Sequence, residues 1–116
     1  MTPEQLKART RKFALEVIAL VSKLPRTLVG EIIGRQLVRC STSVGANYRA
    51  ACRGRSRAEF SAKVAVALEE ADESLYWLEI LRDSKIYSDA SVDVLIAEAD
   101  ELVAIFAASY KTAKSH

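Results

Sequence analysis

Four arginines along one stretch of this chain have a spacing that suits recognition of an anion. At about 100° per residue, a continuous helix would place Arg35, Arg39, Arg49 and Arg53 within about 40° of one line on its surface. That strip, the arginine ridge, would be about 27 Å long. Guanidinium groups in a row repel one another unless an anion lies beside them, and their planar donors suit bidentate contacts with phosphate or carboxylate. The spacing therefore predicts an anion-binding surface.

Further positive charges follow the ridge in the sequence. Residues 35–63 carry seven positive charges against one negative charge, and the additional cations are Arg55, Arg57 and Lys63. A dense basic surface of this kind is typical of sequence-independent binding to RNA or DNA through the phosphates. Tyr48 falls on the side of the helix away from the ridge, so base stacking is not predicted.

The charge distribution leaves a second interpretation open. Residues 1–63 contain 13 Lys and Arg against 4 Asp and Glu, whereas residues 64–116 contain 4 against 11. In an oligomer, the arginines could therefore pair with Glu69, Glu73 and Glu79 of a neighbouring subunit. The protein would then be a scaffold that docks another protein.

Enzymatic constellations are missing from the sequence. His116 is the one histidine, so a Ser-His or Cys-His nucleophile pair and a Glu-x-x-His di-metal site are excluded. Cys40 and Cys52 lack zinc-site spacing and are expected to be reduced thiols. We therefore expect a non-enzymatic protein without metal or cofactor. No apolar run reaches membrane-spanning length and the start has no signal-peptide pattern, which predicts a cytoplasmic location and no membrane partner.

Helical periodicity extends over almost the whole chain. It predicts one domain, residues 1–116, with helices over about residues 3–24, 27–53, 57–85 and 89–113. The helix that carries the ridge also has an apolar stripe on its opposite side, formed by Ile33, Leu37, Cys40, Val44, Tyr48 and Ala51. Four long helices joined by short loops predict an all-α fold, an antiparallel up-down-up-down four-helix bundle.

The third predicted helix has a second apolar surface, away from its core stripe. A solvated helix face does not normally carry valine, tryptophan and isoleucine together. Either this helix lies centrally and touches neighbours on both sides, or the surface is a contact between subunits. The subunit contact is favoured, and the predicted interface residues are Val66, Glu69, Glu73, Trp77 and Ile80.

Three polar residues interrupt the middle of the ridge helix. Ser41 and Ser43 are expected to hydrogen-bond to the preceding turn of their own helix. Asn47 borders the apolar stripe and is expected to hydrogen-bond to a neighbouring helix. These roles are structural.

Two stretches of the sequence, residues 39–60 and 68–81, resemble a known family. The first runs RCSTSVGANYRAACRGRSRAEF and the second runs LEEADESLYWLEIL. Together they resemble the "four helix bundle protein" family, some members of which are encoded in intervening sequences of large-subunit ribosomal RNA genes. The likeness covers essentially the whole chain.

The resemblance implies a cytosolic antiparallel bundle that assembles with itself into a ring, best known as a homopentamer. One relative is the accessory protein of diversity-generating retroelements, where a basic barrel is thought to contact nucleic acid and a reverse transcriptase. The implied partners are further copies of the chain, RNA or DNA, and a reverse transcriptase or other protein. Many relatives carry Pro, Asn, Glu and Gly where this chain has Gly45, Asn47, Ala50 and Ala51. A role that depends on that glutamate therefore does not carry over.

Overall fold

The computed structural model describes residues 1–115 and consists of four α-helices joined by short loops. The one histidine of the sequence, His116, lies outside the described residues. The helices are α1 (Pro3–Val21), α2 (Leu28–Cys52), α3 (Arg57–Ser84) and α4 (Ala90–Lys114). Helix α1 packs against α2 and α4, and α3 packs against the same two helices. The bundle measures 46 × 20 × 19 Å. Short loops between long, packed helices give the predicted antiparallel up-down-up-down fold.

Helix starts follow from capping side chains. Thr2 and Gln5 form a complete capping box at the start of α1, with reciprocal hydrogen bonds of 3.1 and 2.9 Å. The Thr27 hydroxyl accepts a hydrogen bond from the Gly30 N–H, and the Ser56 hydroxyl accepts one from the Glu59 N–H, each at 3.1 Å. Thr27 is thus the N-cap of α2, whereas the periodicity of the sequence predicts it as the first helical residue.

The end of α1 differs from the sequence-based expectation. Helical periodicity suggested that it continues to Leu24, but it ends at Val21. The N–H groups of Lys23 and Leu24 bond to carbonyls three residues earlier, so the last turn is tighter than an α-helix. The backbone restriction that Pro25 places on its predecessor explains why the helix closes early.

One contiguous core fills the bundle. The apolar stripe predicted for α2 is buried throughout, and it packs with residues from the other three helices. The largest fully buried side chains are Phe13, Leu37, Leu78, Leu81, Leu102 and Phe106. Because this stripe is fixed inward, the opposite side of α2 must face solvent.

Gly30 is expected to be the least replaceable glycine of α2. A Cβ at Gly30 would overlap the backbone carbonyl of Pro25, whereas one at Gly34 would meet chiefly the Val21 side chain at 3.0 Å. We expect Gly30→Ala to lower the free energy of unfolding by about 1–3 kcal/mol. Gly34→Ala should stay within about 1 kcal/mol of the wild type, since alanine's helix propensity offsets a small side-chain shift. Urea unfolding followed by circular dichroism measures both; equal losses would contradict this prediction.

Candidate nucleic-acid interface

The arginine ridge lies on one continuous helix. Helix α2 runs unbroken from Leu28 to Cys52, and Arg35, Arg39 and Arg49 are exposed on the side opposite its buried stripe. Arg53 is also exposed, but it is the C-cap of α2, at φ −96° and ψ 3°. The helix therefore fixes the positions of three arginines, while Arg53 begins the turn into α3.

Arg39 already has anionic partners within the same protomer. Its guanidinium pairs with Glu70 at 3.2 Å and with Glu73, both on α3. Gln36 of its own helix accepts two further hydrogen bonds from it, at 3.3 and 3.2 Å. Arg39 lies about 40° to one side of the Arg35 line, toward α3, which explains why it meets these acids. The ridge is consequently not four free guanidinium groups.

The other three ridge arginines differ from Arg39. Within residues 1–115, no carboxylate lies within ion-pair distance of Arg35, Arg49 or Arg53. Arg49 is offset about 40° to the other side, toward α1. Arg35 and Arg49 are separated by about 21 Å along α2, since fourteen residues each rise about 1.5 Å. The exposed positions between them, Thr42 and Ala46, are small.

The predicted extension of the ridge continues into the start of α3. Arg55 pairs with Glu59 at 3.7 Å, and both side chains are exposed, so this ion pair is worth at most about 1 kcal/mol. Arg57 is the first residue of α3 and is exposed. Lys63 is exposed one and a half turns further along, and no acid pairs with it in the part of the chain that is described. The structure thus clusters Arg49, Arg53, Arg55 and Arg57 near the α2–α3 turn.

Sequence reasoning missed two cations that belong to this end of the bundle. Lys7 and Arg11 of α1 line the same groove as Arg49 of α2. Their contribution depends on how α1 packs on α2, which the spacing along one helix does not give. Because neighbouring helices are antiparallel, the end of α4, with Lys111 and Lys114, lies at the same end of the bundle.

Arg9, by contrast, is occupied between two helices. It forms a bidentate pair with Glu98 of α4, with both N–O distances 2.7 Å, and contacts Glu101 at 3.2 Å. The hydrogen bonds that the Arg9 guanidinium donates to Glu98, opposed by desolvation, raise the pKa of Arg9. Arg9 therefore joins α1 to α4 and does not contribute a free cation.

The residues predicted to form a subunit interface differ in their burial and in their contacts. Trp77 and Ile80 are half-buried and pack against the core of their own bundle, and Glu73 is paired with Arg39. Val66 and Glu69 are exposed. Helix α3 does touch neighbours on both sides, which was the other interpretation of this surface. Contact with another subunit through these residues stays a prediction.

The polar residues of α2 make only some of the hydrogen bonds that the sequence predicts. Ser43 donates to the Arg39 carbonyl at 2.8 Å, as predicted. Asn47 donates to the Ser43 carbonyl at 2.8 Å, so the expectation that it bonds to a neighbouring helix is wrong. The hydroxyl of Ser41 is buried without a hydrogen-bond partner among the described residues, contrary to prediction.

The thiols and the clustered acids among residues 1–115 form no metal site. Both cysteines are free; Cys40 is fully buried, which raises the pKa of its thiol, and Cys52 is half-buried. No group of three or more His, Cys, Asp or Glu side chains in residues 1–115 is arranged to hold a metal ion. Over the same residues, no helix has the length and apolar character needed to cross a bilayer.

Comparison with known proteins finds similar proteins over nearly the full length of the chain. A solved structure from Bacteroides thetaiotaomicron, described as a protein of unknown function from the S23 ribosomal protein family, superimposes with a TM-score of 0.81. It is 30% identical in sequence, and the match covers 96% of this chain and 99% of that one. No curated protein matches this sequence. Residues 5–108 match the 23S rRNA-intervening sequence protein family. On the match over nearly its full length, this chain belongs to the 23S rRNA-intervening sequence protein family.

Proposed function

We propose that this protein is a non-enzymatic, self-assembling bundle that binds RNA or DNA without sequence preference through the phosphates. The observation that carries the proposal is that Arg35, Arg49 and Arg53 are exposed and, among residues 1–115, no carboxylate lies within ion-pair distance of them. Guanidinium groups held along one side of a rigid helix and at its end are suited to bidentate phosphate contacts. Arg55, Arg57 and Lys63 extend this surface.

The absence of base recognition follows from what surrounds the arginines. Small side chains, Thr42 and Ala46, separate them on α2. Tyr48 is buried with its ring 5.6 Å from that of Phe106 and is not available for stacking. Phosphate contacts position a nucleic acid but carry no sequence information directly. Binding is therefore expected to be electrostatic and to tolerate any sequence.

Self-assembly is the part of the proposal that rests on α3 and on the family resemblance. Tyr76 is exposed beside Trp77, and the two rings meet edge to face with centroids 5.3 Å apart. Together with exposed Val66, these rings give α3 an apolar outer surface suited to a subunit contact. Light scattering of the wild type and of Val66→Glu/Tyr76→Glu tests it: a larger particle that the variant reduces supports assembly, and a wild-type monomer contradicts it.

One specific observation argues against the scaffold alternative. The arginine–glutamate pairing that it requires between subunits occurs, for Arg39, within one protomer. Glu73, one of the three glutamates predicted to pair across subunits, is thereby engaged, whereas three arginines are left for an outside anion. This arrangement favours a polyanion partner over arginine pairing across subunits.

Releasing Arg39 from its glutamates gives a direct test of the ridge. We expect Glu70→Gln/Glu73→Gln to raise affinity for a labelled DNA duplex several-fold, because Arg39 then becomes a fourth ridge cation. The slope of log K against log salt should steepen by about 0.9, the value for one more phosphate contact. Glu69→Gln/Asp72→Asn removes the same charge from unpaired positions of α3 and should leave the slope unchanged. Equal slopes in both variants would exclude Arg39 from the surface. Fluorescence anisotropy measures the binding.

A further inference from the structure

We propose that the groove between α1 and α2 binds an acidic amphipathic helix of a partner protein. The groove has a volume of about 610 Å³. Small and aliphatic side chains, called its floor, line it together with charged side chains, called its edge. The floor includes Ala8, Ala14, Leu15, Ile18, Gly45 and Ala46, and the edge includes Glu4, Lys7, Arg11 and Arg49. These residues are called the α1–α2 groove.

Outside its buried stripe, helix α1 carries apolar side chains that its own bundle leaves exposed. The buried stripe is Leu6, Thr10, Phe13, Val17 and Leu20. Ala8, Leu15 and Ile18 lie on another side at helical spacing; Leu15 is 52% and Ile18 is 40% exposed. Grooves that receive amphipathic helices present large apolar side chains in this way, as anchors for residues spaced by three and four. Leu15 and Ile18 therefore supply the apolar contact.

The floor of the groove is open because small residues of α2 face α1 there. A Cβ at Gly45 would lie 3.0 Å from the Thr10 hydroxyl oxygen and 3.3 Å from the Thr10 Cβ, so the two helices approach each other closely at this point. Ala46 and Thr42 add little bulk beside it. The groove extends from Glu4 to Ile18 of α1, about 21 Å at 1.5 Å per residue. A helix of about 14 residues matches that length.

The charged side chains at the edge indicate that the partner helix carries acidic residues. Three cations, Lys7, Arg11 and Arg49, stand beside one acid, Glu4. Lys7 is paired with Glu4 at 3.3 Å, but Arg11 and Arg49 have no ion-pair partner within residues 1–115. Two unpaired guanidinium groups flanking an apolar floor complement a helix with leucine-like residues on one face and glutamate or aspartate beside them.

A peptide helix fits these features better than nucleic acid or α3 of a second copy does. Nucleic acid would neutralise the arginines but would leave Leu15 and Ile18 without apolar contacts. In a second copy of this chain, Glu70 and Glu73 of α3 are engaged by Arg39, and Trp77 packs on its own core. The groove shares Arg49 with the proposed nucleic-acid surface, but Leu15 and Ile18 belong to the groove alone.

The test uses a synthetic helical peptide of about 15 residues with leucines at three- and four-residue spacing and flanking glutamates. A matched peptide replaces every glutamate with lysine. Fluorescence anisotropy with the full chain should show saturable binding of the acidic peptide and at least tenfold weaker binding of the basic one. Leu15→Ser/Ile18→Ser should weaken the acidic peptide's binding at least tenfold, whereas Val94→Ser, at an exposed site on α4, should not change it.

Several results would overturn the proposal. These are equal binding of both peptides, no saturable binding, or no effect of Leu15→Ser/Ile18→Ser. If that double variant instead converts an oligomer to a monomer in light scattering, the groove is occupied by a second copy. If it lowers nucleic-acid affinity as much as peptide affinity, the groove is part of the nucleic-acid surface. Unchanged nucleic-acid binding with lost peptide binding supports the proposal and separates it from the proposed function.

Discussion

Changing Arg49 and Arg53 together to glutamate is expected to weaken nucleic-acid binding about 100-fold at constant salt. Each substitution removes a cation that has no carboxylate partner in residues 1–115 and places a negative charge beside the phosphates. A hydrogen bond to a charged group is worth about 1.5–3 kcal/mol, and about 1.4 kcal/mol corresponds to a tenfold change in affinity. Two lost contacts therefore give the expected loss of nucleic-acid affinity of about 100-fold. Anisotropy with a labelled duplex and a labelled single-stranded RNA measures it.

A control at the opposite end of the bundle separates local contacts from net charge. Lys23→Glu/Lys85→Glu makes the same change in net charge, in the α1–α2 and α3–α4 loops. It should weaken binding only a few-fold. Equal losses in the two double variants would mean that the ridge has no special role. Light scattering on Arg49→Glu/Arg53→Glu should show an unchanged particle size, and dissociation would instead favour the scaffold interpretation.

Phe106→Ala is expected to be among the most destabilising single substitutions in the chain. The side chain is fully buried on α4, and its ring lies 5.6 Å from that of Tyr48 at an interplanar angle of 57°. Truncating a buried phenylalanine costs about 3–5 kcal/mol through lost burial and the cavity that remains. Since small domains have a total stability of about 5–15 kcal/mol, the melting temperature should fall by about 10–25 °C. Thermal unfolding followed by circular dichroism measures the change.

The matched control for this substitution lies on the same helix. Val94 is exposed on α4, so Val94→Ala should change the stability by less than about 0.5 kcal/mol. A Phe106→Ala protein that melts within a few degrees of the wild type would show that the centre of the core, where Tyr48 of α2 meets Phe106 of α4, is not packed as described.

The fold and the ridge helix were accessible from the sequence because one periodicity determines both. The buried stripe of α2 and its exposed arginines are two faces of the same 3.6-residue repeat. Burial of the first face forces the second outward, so the exposure of Arg35 and Arg49 followed without knowledge of other helices.

The pairing of each arginine was not accessible in this way. A deviation of about 40° to either side of the ridge line is small on one helix, but it directs Arg39 toward the acids of α3 and Arg49 toward α1. Of the two acids that Arg39 meets, Glu73 was recognised in the sequence, but as a partner from another subunit. Only the packing of α2 against α3 shows that Glu70 and Glu73 reach Arg39 within one protomer.

The groove and the polar residues of α2 show the same limitation. Lys7 and Arg11 become part of the basic surface only once α1 lies against α2. Asn47 reaches a carbonyl of its own helix at 2.8 Å, a local option that the prediction of a contact between helices overlooked. Sequence periodicity gives the direction of a side chain, whereas its partner depends on the neighbouring helix.

The salt dependence of nucleic-acid affinity tests the central claim most directly. If Arg35, Arg49 and Arg53 each neutralise one phosphate of a duplex, log K should fall linearly with log salt with a slope of at least about 2.7 in magnitude. Affinity should then drop about 40-fold between roughly 50 and 200 mM salt. Affinity that changes by less than about twofold over the same range would contradict a phosphate-binding ridge.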